Sequence, residues 1–395
     1  METIQNINFN NKKVLIRVDF NVPLNAHFEV TDSTRIVSAK PTIMKVLEEG
    51  GSCILMSHLG RPKSKELAFS LQHIVNVLET VLGKDVLFCS SCIGEDAQKA
   101  SDNLKPGQVL LLENLRYYPE ETTGGIGFAE ALSKLGDFYI NDAFGTAHRA
   151  HASTTIIAQF FPENKCFGIL LAQEIESIDK VMQTGEKPVL AILGGAKVSS
   201  KITIINNILD KVDHLIIGGG MTFTFVKALG GSIGDSICED DKMELALQIL
   251  DRAKAKNVQV HIPVDVLAAD DFSNHANTQF VDVRTIPANW QGLDCGPKSK
   301  ALFHEVVQKC KTILWNGPLG VFEMEAFSSG TIALGNSIAE ATKNGAFSLV
   351  GGGDSVSAVK QFGFEKKVSY VSTGGGAMLE SLEGKTLPGI AAISN

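Results

Sequence analysis

The sequence predicts an α/β protein of two domains, each built on a parallel sheet, joined by a helix. Three observations predict it. Short apolar runs of strand length alternate with longer amphipathic stretches. The runs are apolar throughout rather than at every second residue. The alternation is interrupted once, near the middle of the chain. Continuous apolarity suits a strand buried on both faces, and burial on both faces needs helices on either side of a parallel sheet. The 395 residues suffice for two such cores.

The first series of runs is Val14–Val18, Cys53–Met56, Val109–Leu112 and Phe138–Ile140. The second is Val189–Leu193, His214–Ile217, Val258–Ile262, Thr312–Trp315, Phe347–Val350 and Ser369–Val371. Helical stretches between them include Pro41–Glu49, Leu71–Leu82, Lys242–Lys256 and Gly330–Lys343. Phe167–Gln183 reads as one helix, with Leu170, Leu171, Ile175, Ile178 and Val181 on its apolar stripe. Gly185 and Pro188 stop it, so it is the connector. Glu383–Asn395 carries Gly384, Pro388 and Gly389 and reads as an irregular tail.

Composition narrows the functions. The formal net charge of -8 gives no global basic field for nucleic acid. An anionic ligand must therefore be held by a local cluster of Arg and Lys. Met1–Asn11 is polar and has no apolar signal core. No run of about 18 apolar residues appears, so no membrane helix is expected. The seven cysteines are scattered and odd in number, which speaks against a disulfide framework. Cys89 and Cys92 form a lone C-x-x-C, without the second pair or redox context that would give it meaning. Reduced thiols in a cytoplasmic protein are the expectation.

Ligands of open parallel sheets bind at the carboxyl ends of strands. In the first half those positions hold Arg17-Val18-Asp19-Phe20-Asn21, Ser57-His58-Leu59-Gly60-Arg61, Glu113-Asn114-Leu115-Arg116 and Asn141-Asp142-Ala143-Phe144, followed by Ala147-His148-Arg149-Ala150-His151. Arg35 stands just ahead of a helix. The second half holds Gly194-Gly195-Ala196-Lys197, Gly218-Gly219-Gly220, Pro263-Val264-Asp265, Asn316-Gly317-Pro318, Gly351-Gly352-Gly353-Asp354-Ser355 and Thr373-Gly374-Gly375-Gly376.

The two sets carry different chemistry. Glycine turns that open a helix let backbone N–H groups approach a phosphate, and the helix N-terminus favours the anion. Gly351–Ser355 fits this, with a strand before it and a helix after it. Asp354 can then hold a magnesium ion, which prefers carboxylate and phosphate oxygens. Lys197 brings a mobile positive charge to a phosphoryl group. Arginine forks match phosphate and carboxylate bidentately, so the first half suits a small, doubly anionic acid. Taken singly, a glycine turn is often only a tight connection, and a lone Arg or His is surface or structure. Recurrence at successive strand ends is what argues for function.

Other readings fail on spacing. Gly384-Lys385-Thr386 resembles the end of a P-loop, but the earlier glycine position is Leu379. No G-x-G-x-x-G follows a strand, which disfavours a nicotinamide dehydrogenase, and no zinc motif or nucleophile elbow appears.

Eleven stretches in order resemble the phosphoglycerate kinase family over essentially the whole chain. They are Arg17–Pro23, Ser57–Pro62, Leu111–Arg116, Asn141–Phe144, Ala147–His151, Gly194–Val198, Gly218–Phe225, Leu293–Pro297, Trp315–Phe322, Gly351–Asp354 and Ser372–Ala377. The resemblance implies two Rossmann-like domains with parallel sheets joined by a hinge helix. Residues 1–166 form a 3-phosphoglycerate-binding domain, 167–184 the connecting helix and 185–379 a nucleotide-binding domain. Residues 380–395 form a tail returning to the first domain.

It also implies reversible phosphoryl transfer between ATP and the carboxylate of 3-phosphoglycerate, through 1,3-bisphosphoglycerate, in a cytoplasmic monomer with no nucleic acid or membrane partner. Asp19 and Asn21 are expected at the substrate hydroxyl and backbone. His58, Arg61, Arg116 and Arg149 hold its 3-phosphate, and Leu59 and Gly60 also belong to the substrate site. Arg35 faces the reacting carboxylate. Lys197, Lys201, Gly352 and Gly353 grip the nucleotide phosphates, beside Ser355, and Asp354 binds Mg2+. Arg35, Lys197, Gly352 and Gly353 are the catalytic set. Glu323 bonds the ribose, with Gly292 and Asn316 near the nucleotide. Ser355 stands where the family commonly has Thr, with the hydroxyl retained. Hinge closure about the Phe167–Gln183 helix is expected to exclude water. The rival from another class, a non-catalytic binding protein on the same fold, is disfavoured by the presence of Arg35 and Lys197.

Overall fold

The computed structural model describes residues 3–394. They divide into two compact units. One runs to Ile175 and takes in the chain from Thr386 onward, and the other spans Glu176–Lys385.

The first unit is organised on six parallel strands: β1 (Lys13–Arg17), β2 (Ser52–Met56), β3 (Val86–Cys89), β4 (Val109–Leu112), β5 (Phe138–Asn141) and β6 (Lys165–Phe167). Their order is β3-β4-β2-β1-β5-β6, so the chain changes direction across the sheet at β1. Arg17 is level with Met56 on one side and Asn141 on the other, which brings three of the motif-bearing strand ends into line. The central strands are buried along their length, as their unbroken apolarity requires. The edge strands β3 and β6 are not evident in the sequence. β3 leaves Leu87 exposed, and β6 has only three residues.

The helix Thr34–Glu48 buries Ile36, Ala39, Ile43, Val46 and Leu47, spaced three and four apart, against this sheet. Pro41, expected at its start, lies inside it. The N–H that proline lacks would bond the carbonyl of Val37, which is on the exposed side where water serves it. Arg35 is therefore not ahead of the helix but in its first turn.

The second unit contains β7 (Val189–Leu193), β8 (His214–Ile217), β9 (Ser232–Ile233), β10 (Gln259–His261), β11 (Asp265–Ala269), β12 (Thr278–Asp282), β13 (Thr285–Ile286), β14 (Gln291–Cys295), β15 (Thr312–Asn316), β16 (Phe347–Val350) and β17 (Tyr370–Val371). Its main sheet is parallel, in the order β10-β8-β7-β15-β16-β17, and reverses between β7 and β15. A three-stranded antiparallel sheet, β12-β11-β14, accompanies it, with a register shift between Leu267 and Ala268. Nothing in the sequence pattern marks that sheet. The residues of β12 are largely exposed, so its pattern resembles a loop.

The connecting helix spans Ile169–Met182, because Phe167 is committed to β6. The boundary between the units falls within this helix. The tail also differs from expectation: Pro388–Ser394 is a helix, with proline at its first position, where no N–H is needed. Gly389 N donates to the Ala147 carbonyl (2.9 Å), Asn141 Nδ2 to the Gly389 carbonyl (3.2 Å) and Lys165 Nζ to the Ala392 carbonyl (2.8 Å). These contacts come from residues more than two hundred positions away, which local pattern cannot report. Among the described residues no helix is long and apolar enough to cross a membrane.

Candidate active site

In the first unit the loops after β1, β2, β4 and β5 enclose a cleft of about 760 Å³ lined by Asp19, Asn21, Arg35, His58, Gly60, Arg61, Arg116 and Arg149. All the expected substrate residues meet there except Leu59. Its side chain is buried in the core, and its carbonyl accepts from Asn114 Nδ2 at 2.7 Å. Thr146, His148 and His151 also line the cleft. The two histidines lie in the stretch Ala147–His151, where sequence pattern alone singles out Arg149.

Hydrogen bonds fix the rim. Arg35 Nη1 donates to Asp19 Oδ1 (3.2 Å) and to the Asn21 carbonyl (2.8 Å). Asn21 Oδ1 accepts from Gly60 N (2.8 Å), and Arg116 Nη1 donates to the Gly60 carbonyl (2.7 Å). The Arg116 Nε is buried and without a protein partner among the described residues.

Below the cleft lies a charge network that the sequence did not disclose. Arg17 is fully buried. Its Nε donates to Ser153 Oγ (2.8 Å), and Nη2 stands 3.3 Å from His58 Nδ1 and 4.0 Å from Glu121 Oε1. Glu121, equally buried, accepts from Ser153 Oγ (2.7 Å) and Ser153 N (3.0 Å). Burial, reinforced by Arg17, Arg116 and Arg35, lowers the His58 pKa well below the usual histidine range. Burial first, then Arg17, Arg116, Arg149 and His148, takes His151 to about 4. Both shifts favour the neutral ring, so the fixed positive charge of the cleft lies on its arginines and Lys63. Glu121 sits in the short helix Pro119–Thr123 without any strand-end signal, so pattern gives no reason to single it out.

In the second unit the strand order reverses where β7 and β15 run side by side. A Cβ on Gly194 would clash with the backbone of Gly317 and Pro318, so the two strand ends meet without side chains between them. Gly352 has φ 89°, which glycine adopts readily, and opens the helix Gly353–Gln361. The N–H groups of that first turn have no carbonyl within the helix to bond. Lys201 Nζ donates to Asn316 Oδ1 (2.5 Å), Asn316 Nδ2 to the Gly351 carbonyl (2.8 Å), and Gly317 N to Ser355 Oγ (2.6 Å). Asn316, expected near the nucleotide, thus spends both polar atoms on Lys201 and the glycine turn. Ser355 ties that turn to β15. Burial lowers the Lys201 pKa, and Asp354 opposes the shift. Lys197 is exposed in the turn after β7.

Beside this turn lies a pocket of about 480 Å³. It is walled by Gly195, Gly219, Gly220, Ile237, Phe272 and Leu319, among others, with Gly292, Glu323 and Asp354 also lining it. Lys197, Lys201, Asn316, Gly352, Gly353 and Ser355 do not line it. A largely apolar slot beside an anion-accepting helix N-terminus has the two ends of a nucleotide. Phe272 and Ile237 had no signal in the sequence, since they sit in loops whose approach to the slot is tertiary.

The family model described as phosphoglycerate kinase matches residues 4–385. The chain belongs to the phosphoglycerate kinase family. It is 52% identical to the phosphoglycerate kinase of Porphyromonas gingivalis over a 415-residue alignment covering 99% of both chains. It is 49% identical to that of Chloroherpeton thalassium, covering 100% of this chain and 99% of the relative. Among solved structures, the phosphoglycerate kinase of Coxiella burnetii superimposes with a TM-score of 0.92 at 40% identity, covering 100% of this chain and 98% of the other. A phosphoglycerate kinase is a phosphotransferase with a carboxyl group as acceptor, and the chain is an enzyme of that glycolytic family with the family's α/β fold.

Proposed function

We propose that the arginine-rich cleft of the first unit binds 3-phosphoglycerate and that the pocket and helix N-terminus of the second bind ATP with Mg2+, for reversible phosphoryl transfer giving 1,3-bisphosphoglycerate and ADP. The observation that carries this reading is the imbalance in the cleft. Four arginines and Lys63 line it, with Asp19 as the one carboxylate among the lining residues. Such a wall suits a ligand with two anionic ends.

In this reading Arg61, Arg116 and Arg149, with neutral His58, hold the 3-phosphate. Asp19 and Asn21 take the hydroxyl, and Arg35 faces the carboxylate. Lys197, Lys201 and the Gly352 and Gly353 amides hold the nucleotide phosphates. Glu323 takes the ribose and Gly292 flanks the base. Asp354, exposed in the first turn of its helix and lining the pocket, fits magnesium: one carboxylate, with the remaining oxygens supplied by the nucleotide. When bound, the ion neutralises charge that spreads over the transferring group.

The attacking carboxylate is ionised at neutral pH, with a pKa near ~4, so no general base is required. The protein's contribution is alignment of two anions, compensation of charge and exclusion of water. We propose that bending about the helix Ile169–Met182 brings the reactants together. Small-angle scattering with and without both substrates tests this, and unchanged dimensions contradict it. Seven free cysteines support a reducing compartment, and hence cytoplasm. The family resemblance supports a monomer, which light scattering checks.

A coupled assay with 3-phosphoglycerate and ATP tests the activity. ATP-dependent formation of an acyl phosphate is expected. Binding of both ligands without turnover favours a non-catalytic protein.

A further inference from the structure

Asp294 is a buried carboxylate on β14, 4% exposed, at the floor of the nucleotide pocket, and no role falls to it in the reading above. It touches its own strand and two other segments. Its Oδ1 accepts from its neighbour Cys295 N at 2.9 Å, and its Oδ2 from Gly330 N at 2.7 Å, in the first turn of the helix Ser329–Lys343. Gly320, at the start of the loop that carries Glu323, packs against Oδ1 so closely that a Cβ there would clash with it, and Gly330 is packed likewise. The same loop is tied to β14 by Val321 N donating to the Leu293 carbonyl at 2.9 Å. Gly292 lies two residues before Asp294 on the same strand, across the register shift, so that Gly292 pairs with Ala268 and Asp294 with Leu267.

We infer that Asp294 is a positioning residue for the nucleoside end of the pocket: it locks the strand carrying Gly292 to the loop carrying Glu323 and to a helix N-terminus. The inference rests on the reading of this pocket as the nucleotide site. A helix N-terminus alone is capped as well by neutral Ser or Asn as by Asp. Here a carboxylate is used where burial raises its pKa to about 6, opposed by the N–H groups of Gly330 and Cys295 and by Lys300. A costly ionisable group is accounted for by its reach, since Oδ2 bonds the helix Ser329–Lys343 and Oδ1, held within its own strand, takes the close approach of Gly320 in a second segment.

The test is steady-state kinetics on Asp294→Asn and Asp294→Ser in the full chain. Asn preserves size and one acceptor, but it turns an NH2 group toward a backbone N–H. Loss of alignment at one end of a ligand is expected to raise the KM for ATP about tenfold, with the KM for 3-phosphoglycerate unchanged and kcat at saturating ATP within about twofold. ADP affinity by calorimetry falls in parallel, and Asn retains more affinity than Ser. A merely structural role lowers the melting temperature and moves both substrates together, or neither, and that result overturns the inference. So does failure of both variants to fold. Ala196→Phe, which places a ring in the same pocket from an exposed turn, separates the two readings. If it raises the KM for ATP while both Asp294 variants do not, Asp294 has no positioning role. If it leaves the KM for ATP unchanged, the pocket is not the nucleotide site.

Discussion

Arg35 Nη1 stands 3.2 Å from both carboxylate oxygens of Asp19 and 2.8 Å from the Asn21 carbonyl. The arginine comes from the first turn of a helix and its partners from the loop after β1, so the pair fixes a half-exposed guanidinium at the mouth of the anion cleft. Arg35→Ala is expected to lower kcat by roughly 10³-fold or more, in line with arginines that neutralise a phosphoryl transition state. Arg35→Lys keeps the charge but not the fork and is expected to recover little. Near-normal turnover in Arg35→Ala contradicts the assignment.

Asp354 belongs to the other pocket. Asp354→Ala is expected to weaken magnesium–nucleotide binding by an order of magnitude or more, with 3-phosphoglycerate affinity retained. Isothermal calorimetry with each ligand separately measures the split. Equal losses at both sites indicate a folding defect instead.

Gly194 tests the strand-order reversal. Its missing side chain lets β7 approach the Gly317–Pro318 backbone, which has no rotamer with which to yield. Gly194→Ala is expected to cost roughly 3 kcal/mol or more of stability, as overpacking against backbone does, measured by urea unfolding. An unchanged midpoint shows that the two strand ends can separate freely.

Asp142 predicts a pH dependence. It is fully buried, and its Oδ1 accepts from Leu171 N (3.1 Å) in the connecting helix. Burial raises its pKa to about 7, against hydrogen bonds from Thr42, Leu171 N and Leu170 N that oppose the rise. Between about pH 4 and 7 the native state therefore binds more protons at this site than the unfolded chain. Its contribution to stability is present in full below pH 4 and is lost as pH rises through 7. Asp142→Asn keeps the Leu171 contact and removes the ionisation. It is expected to be more stable than the parent at pH 8, by a few kcal/mol at most, and to show no such difference at pH 4. Denaturant unfolding at the two pH values checks this.

Much of the site was legible because its chemistry sits where strands end. Residues such as Asp19, His58 and Arg116 each follow a run whose apolarity marks a strand, and a parallel sheet puts those ends on one edge. Glu121 and Arg17 show the limit. A charge on a strand or in a short helix becomes a buried network only when Ser153 and the histidines fold over it. Leu59 shows the same from the other side: adjacent to His58 in sequence, it turns into the core.

The sequence alone determined the parallel sheets, the two unlike sets of strand-end motifs and the family, because periodicity and local residue chemistry are short-range properties. Tertiary structure decided that Arg35 lies within a helix and is held by Asp19. It also decided that the final residues form a helix against Ala147 and Asn141, and that Asn316 and Asp294 serve neighbouring backbone and side chains. Each of these depends on contacts between segments far apart in the chain, whose pairing is set by packing and by the need to satisfy buried polar groups.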